Sequence, residues 1–139
     1  MKRKAGSSIV LILMLISILM LTSGCVRTQS YGGGTYSGEW KDGMPNGYGK
    51  FTYSKDVIYE GQWKDGKLHG QGVATGYNGT KFEGEWKYGK LDGYGTKTED
   101  GNTYVGEFKE GKMEGKGTLT MADGTTYVGT FANDQYVGP

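Results

Sequence analysis

The sequence predicts an all-β protein, an elongated, twisted, single antiparallel sheet of stacked β-hairpins. Three observations carry that prediction. Five related blocks begin at Tyr36, Tyr59, Phe82, Tyr104 and Tyr127, spaced by 23, 23, 22 and 23 residues. Within each block the apolar period is two, as in Tyr59-Gly61-Trp63 set against Glu60, Gln62 and Lys64; that is strand alternation with one apolar and one wet face. Turn pairs such as Asp42-Gly43 and Asp65-Gly66 follow each aromatic strand, and glycine adopts the positive φ that tight hairpin turns need.

Composition narrows the functional classes. Glycine supplies 27 of 139 residues, yet aromatics make up 13% of the chain, more than a disordered glycine-rich segment carries. One histidine and one cysteine exclude an internal disulfide framework and a cysteine-rich zinc site. Formal net charge is +1. Without Lys2, Arg3 and Lys4 the 16 basic residues become 13 against 15 acidic, so residues 25–139 stand near −2. A nucleic-acid binder is expected to be clearly basic, so no nucleic-acid partner is expected.

The first segment reads as an export signal over residues 1–24. Lys2, Arg3 and Lys4 are followed by the apolar run 9–21, then Ser23, Gly24 and Cys25, the order of a signal peptide. Leu21-Thr22-Ser23-Gly24-Cys25 resembles the lipobox of bacterial lipoproteins, with Thr22 where that motif usually has Leu. The resemblance implies cleavage before Cys25 and acylation there, and several acyl chains anchor a domain stably. It places the domain outside the cytoplasm, on the cell membrane or outer membrane. Two other outcomes stay open: an uncleaved anchor, since residues 5–26 carry no charge and are long enough to span a bilayer, and simple secretion. Residues 25–35 are then expected to be a glycine-rich flexible linker, about 17 Å across as a random coil.

The repeats follow, at 36–58, 59–81, 82–103 and 104–126, with a partial block at 127–139. A glycine at a fixed strand position is expected beside a large ring that lies across its backbone. One hairpin cannot bury its own apolar face, so blocks should stack edge to edge. The third block departs from its neighbours by placing Lys97 and Glu99 where others carry Phe51, Tyr53, Ala74, Leu119 or Met121. The fifth has Asp134 in place of the turn glycine, as a terminal capping block would.

Tyr36-Ser-Gly38-Glu-Trp40, Tyr59-Glu-Gly61-Gln-Trp63 with His69-Gly70-Gln-Gly72, Phe82-Glu-Gly84-Glu-Trp86 and Tyr104-Val-Gly106-Glu-Phe108 resemble the MORN repeat (membrane occupation and recognition nexus). The resemblance covers residues 36–139. It implies scaffolding, self-association and positioning of partners, or recognition of lipid head groups.

Other patterns read as structural. Gly61…Gly66-Lys67, Gly84…Gly89-Lys90 and Gly106…Gly111-Lys112 have P-loop spacing but lack the following Ser or Thr, and a β-turn stands where a P-loop needs a helix. His69 shares its column with Asn46, Asp92, Glu114 and Val137 and reads as a polar residue ahead of the returning strand.

Two candidate surfaces remain. The apolar ladders, Tyr36, Trp40, Tyr59, Trp63, Phe82, Trp86, Tyr104 and Phe108, with Tyr127 and Phe131, are expected to bury most of their area ring on ring. Whatever stays exposed forms a candidate binding groove. Lys41, Lys64, Lys87 and Lys109 form a charged strip beside Glu39, Glu85 and Glu107, a solvated face or a docking strip. The expectation is a non-enzymatic, membrane-anchored envelope lipoprotein that scaffolds an envelope protein. Lipid head-group binding is the alternative and envelope-glycan binding a third reading. No cofactor, metal or catalytic residue is expected.

Overall fold

The computed structural model describes residues 25–139; the signal-peptide reading of residues 1–24 lies outside them. The described chain is one 11-stranded open sheet whose spatial order is its sequence order. The strands are β1 (Val26–Tyr31), β2 (Gly34–Lys41), β3 (Met44–Thr52), β4 (Ile58–Lys64), β5 (Lys67–Thr75), β6 (Lys81–Lys87), β7 (Lys90–Glu99), β8 (Asn102–Lys109), β9 (Lys112–Thr120), β10 (Thr126–Ala132) and β11 (Gln135–Gly138). All neighbours pair antiparallel. The hairpin array expected from the repeats is therefore the fold.

Each block's tight turn has two residues at positive φ, as in Asp42 (49°) with Gly43 (77°) and Glu110 (51°) with Gly111 (85°). This is the primed turn whose twist matches that of the strands. Asn133 (48°) and Asp134 (67°) close the fifth block in the same way without glycine, because Asn and Asp tolerate the left-handed region. The connections between blocks vary: the third block, one residue shorter, closes on the two-residue turn Asp100-Gly101, while Tyr77–Gly79 forms one turn of 3-10 helix.

Residues 26–31 correct the linker expectation. They form β1, which pairs with β2 from Val26↔Glu39 to Tyr31↔Gly34 through a Gly32-Gly33 turn. The cause is the exposed end of the aromatic ladder. The Trp40 indole N–H donates to Arg27 O at 3.1 Å, and Tyr31 packs edge-on against the Trp40 ring at 5.7 Å. Tyr31-Gly32-Gly33-Gly34 was a hairpin signal in the sequence, outweighed in the linker reading by its glycine content.

The first four intrablock hairpins carry a bulge between the glycine and the second aromatic, at Gly38/Trp40, Gly61/Trp63, Gly84/Trp86 and Gly106/Phe108, and the fifth shifts register at Thr130/Phe131. The residue at the bulge turns its side chain across it. Glu39 Oε1 accepts from Tyr48 N at 2.9 Å, Gln62 Oε1 from Gln71 N at 2.9 Å and Glu107 Oε1 from Lys116 N at 3.3 Å. The facing glycine, Gly47 in the first block, sits at φ 91° with the Glu39 carboxyl carbon 2.6 Å from where a Cβ would stand. Both backbone and space require glycine there.

Successive hairpins are also hooked at their turns. Gly66 N donates to Pro45 O, Gly89 N to Leu68 O and Gly111 N to Leu91 O, at 2.8–2.9 Å. The His69 column reinforces these hooks: Asp92 Oδ2 accepts from Glu110 N (3.1 Å) and Glu114 Oε2 from Asn133 N (3.0 Å).

Candidate functional site

The two faces of the sheet differ in kind. On one, Tyr36, Trp40, Trp63, Trp86, Tyr104, Phe108 and Phe131 are buried and join Phe51, Leu68, Ala74 and Leu91 in one core. Rings meet edge to face: Tyr36 lies 5.2 Å from both Trp40 and Trp63, and Tyr104 lies 5.1 Å from Phe108 and 4.8 Å from Phe131. That geometry satisfies the quadrupoles of the rings. The indole N–H of Trp63 donates to Gly49 O (2.9 Å) and that of Trp86 to Gly72 O (2.8 Å). Each Trp thus ties its own strand to the preceding block.

The candidate binding face is therefore mostly core. Six of its eight residues, Tyr36, Trp40, Trp63, Trp86, Tyr104 and Phe108, are buried, and Tyr59 and Phe82 are half-buried. Truncating Trp63 or Trp86 would test folding rather than binding.

What stays open on this face has a local cause. In the cross-strand row Phe51–Tyr59–Ala74–Phe82–Lys97–Tyr104–Leu119, Ala74 is the smallest member. It leaves the Tyr59 and Phe82 rings unfilled between them. The result is a groove of ≈ 290 Å³ lined by Tyr59, Ala74, Phe82, Trp86 and Leu91. Beyond Phe82 the row changes chemistry. The Lys97 ammonium lies 5.6 Å from the centre of the Phe82 ring and pairs with Glu99 at 2.6 Å. This neutralised pair borders a smaller groove of ≈ 190 Å³ with Asn102, Met113, Leu119 and Met121.

The other face holds the charged strip. Lys41, Lys64, Lys87 and Lys109 are all exposed. Three of them stand directly opposite another lysine: Lys64↔Lys67, Lys87↔Lys90 and Lys109↔Lys112. Like charges so placed repel. In the sequence Lys67, Lys90 and Lys112 stand out only as ends of the P-loop-like spacings, because only hairpin register reveals that they face the strip. Acidic neighbours offset part of the charge, as in Lys90–Glu110 at 3.1 Å. The glutamate column is not a free strip, since Glu39 and Glu107 are engaged at the bulges.

Burial pushes the Tyr36 and Tyr104 hydroxyls up to about 12, helped by Glu39 and Glu107 respectively. Both hydroxyls donate to the bulge carbonyl of the same glutamate, at 3.3 and 3.1 Å, which ties them into the packing of the hairpin. Among the described residues no group of three His, Cys, Asp or Glu is placed to hold a metal ion.

The bulged Gly-x-aromatic hairpin therefore recurs every 22 or 23 residues over four blocks. A family model described as the MORN repeat matches residues 36–56, 59–81, 82–103 and 104–126, well over half of the chain. The chain belongs to the MORN-repeat family. A comparison with curated proteins finds no match. The MORN sheet is a binding-type fold that points to membrane or protein interaction, and it is not that of a known enzyme family.

Proposed function

We propose that this MORN-repeat protein is a non-enzymatic, membrane-anchored envelope lipoprotein whose sheet scaffolds a protein partner. The observation that carries the reading is the groove at Ala74, where two half-buried rings are held open on a hydrogen-bonded sheet. Exposed apolar surface on a rigid element suits protein contact. Cys25 supports the anchoring part, because it is a free, exposed thiol one residue before β1. Acylation there would hold the β1 edge of the sheet against the bilayer with no spacer.

In-cell photo-crosslinking from position 59 tests the protein role. A discrete protein adduct is expected, and it should vanish in Ala74→Phe, which fills the groove from a core position, while the urea midpoint shows that the variant stays folded. Adducts unchanged by Ala74→Phe, or adducts with lipid alone, would sink it.

The lysine doublets favour a second reading, recognition of anionic lipid head groups. Three like-charge pairs in register weaken the sheet slightly and raise local positive potential. Flotation with liposomes of graded anionic content, at two salt concentrations, decides this reading. Salt-sensitive co-flotation lost on replacing Lys64 and Lys67 by Gln supports it; flotation indifferent to both removes it.

A further inference from the structure

We propose that the polar face carries two equivalent saccharide-binding grooves, one built on Tyr48 and the other on Tyr94. The first, ≈ 670 Å³, is lined by Asn46, Gly47, Tyr48, Gln62, Lys64 and His69. The second, ≈ 320 Å³, is lined by Asp92, Gly93, Tyr94, Glu107, Lys109 and Glu114. Each side chain of the second is the two-block counterpart of one in the first, which is wider and adds Glu39, Lys41 and Asp65. A single exposed tyrosine needs no explanation. The same ring in the same groove twice, with matching neighbours, does.

The rings are presented rather than packed. Tyr48 is 57% exposed and Tyr94 61%, and each has glycine on both sides in the chain. Blocks two and four carry Gln71 and Lys116 in that column, so the ring is specific to alternate blocks. The backbone beneath is set in advance. Gly47 and Gly93 sit at φ 91° and 129°, and Tyr48 N is held by the Glu39 carboxylate at 2.9 Å. A site already in its bound shape loses little freedom on binding. The Tyr48 hydroxyl lies 3.5 Å from Glu60 Oε1, which limits the swing of the ring.

The chemistry selects the ligand. Each groove combines a flat amphipathic ring with amide or carboxylate groups and a balancing cation, Lys41 and Lys64 beside Glu39 and Asp65 in the first and Lys109 beside Asp92, Glu107 and Glu114 in the second. The C–H face of a pyranose can lie on the ring while its equatorial hydroxyls meet donors and acceptors around it. Phosphate-bearing ligands fit badly, because Asp92, Glu107 and Glu114 all line the second groove. The ligand class is therefore a neutral glycan. His69, whose ring packs edge-on against Tyr88 at 5.3 Å, closes one wall of the first groove. The grooves lie four strands apart, roughly 19 Å, on the face opposite the Ala74 groove, so this inference and the protein scaffold stand or fall separately.

The test is titration of the full chain in detergent with chitotriose, and separately cellotriose, followed by amide NMR. The Gly47 and Gly49 amides flank Tyr48 and report the first groove; those of Gly93 and Gly95 flank Tyr94 and report the second. Two equivalents should bind at roughly millimolar concentration. Tyr48→Ala should abolish the shifts at the first groove and leave one equivalent. Tyr94→Ala should abolish those at the second and also leave one, and the double variant should weaken binding at least tenfold. Tyr77→Ala, an exposed ring that lines neither groove, should change nothing. Absence of binding by both sugars, binding indifferent to the double variant, or equal loss in Tyr77→Ala would overturn the proposal.

Discussion

Blocks one and four solve the same packing problem differently from blocks two and three. In the first pair the leading aromatic dives under the returning strand. Tyr36 and Tyr104 are fully buried, with their hydroxyls on Gly49 and Gly117. In the second pair Tyr59 and Phe82 lean outward, half-buried, and Leu68 and Leu91 fill the space from the other side of the turn. Leu68 comes within 3.5 Å of a Cβ position at Gly72, and Leu91 within 3.2 Å at Gly95. The residue after the turn decides between the modes. Pro45 is buried but too short to reach Gly49, and Met113 is only partly buried, so a tyrosine takes the space; a leucine excludes it. The backbone follows: Gly61 and Gly84 adopt φ of 152° and 148°, whereas Gly38 and Gly106 need no positive φ. The lesson is that one repeat frame admits two cores. The open surface separates along the same line, because only the outward mode leaves rings for the Ala74 groove.

The comparison can be broken by substitution. The largest contrast is expected between Tyr104→Ala and Tyr59→Ala. Deleting a fully buried ring costs about 3–5 kcal/mol, and a half-buried one roughly half that; urea midpoints measure both. Equal losses would mean that the two modes interconvert in solution. Next, Leu91→Ala is expected to cost about 2–5 kcal/mol, and Met113→Ala clearly less, because Tyr104 already fills the space beneath Gly117.

A smaller effect sharpens the comparison. Gly49→Ala drives a Cβ into the Tyr36 ring and is expected to destabilise by about 1–3 kcal/mol. Gly72→Ala meets nothing closer than Glu60 O at 3.3 Å and needs no unusual φ, so its midpoint should shift far less. Reversal of that order would dismiss the two-core account.

The smallest effect is the hydroxyl. Tyr36→Phe and Tyr104→Phe should each lose about 1 kcal/mol, and Tyr59→Phe less. Both buried hydroxyls have folded values raised from 10 to about 12. A raised folded value means that the stability they contribute is complete below pH 10 and declines as pH rises towards 12. Alkaline unfolding curves should therefore be flatter in the double Phe variant than in the parent; identical curves would exclude the linkage.

Much was legible from the residues. Block starts, strand alternation, primed turns and ring-on-ring burial all arise from local chemistry repeated in register, and the fold follows from them. Three things were not. β1 was hidden because its sequence, Val-Arg-Thr-Gln-Ser-Tyr, has no apolar face of its own and forms only because Trp40 offers a ring and an indole N–H. The Glu39 and Glu107 column looked like surface charge, because only the bulge register brings each carboxylate to a backbone N–H. Tyr48 and Tyr94 were passed over because they alternate to the wet face, while attention went to the ladder that turned out to be core.

The sequence alone determined the repeat, its strand period, the family and the places where glycine must stand, since these depend on neighbours within one hairpin. Tertiary structure decided which rings are core and which are free, which lysines face each other, and where the grooves open. Those properties depend on what the adjacent block places across the register, as Ala74 does between Tyr59 and Phe82, and a single block carries no information about its neighbour's side chains.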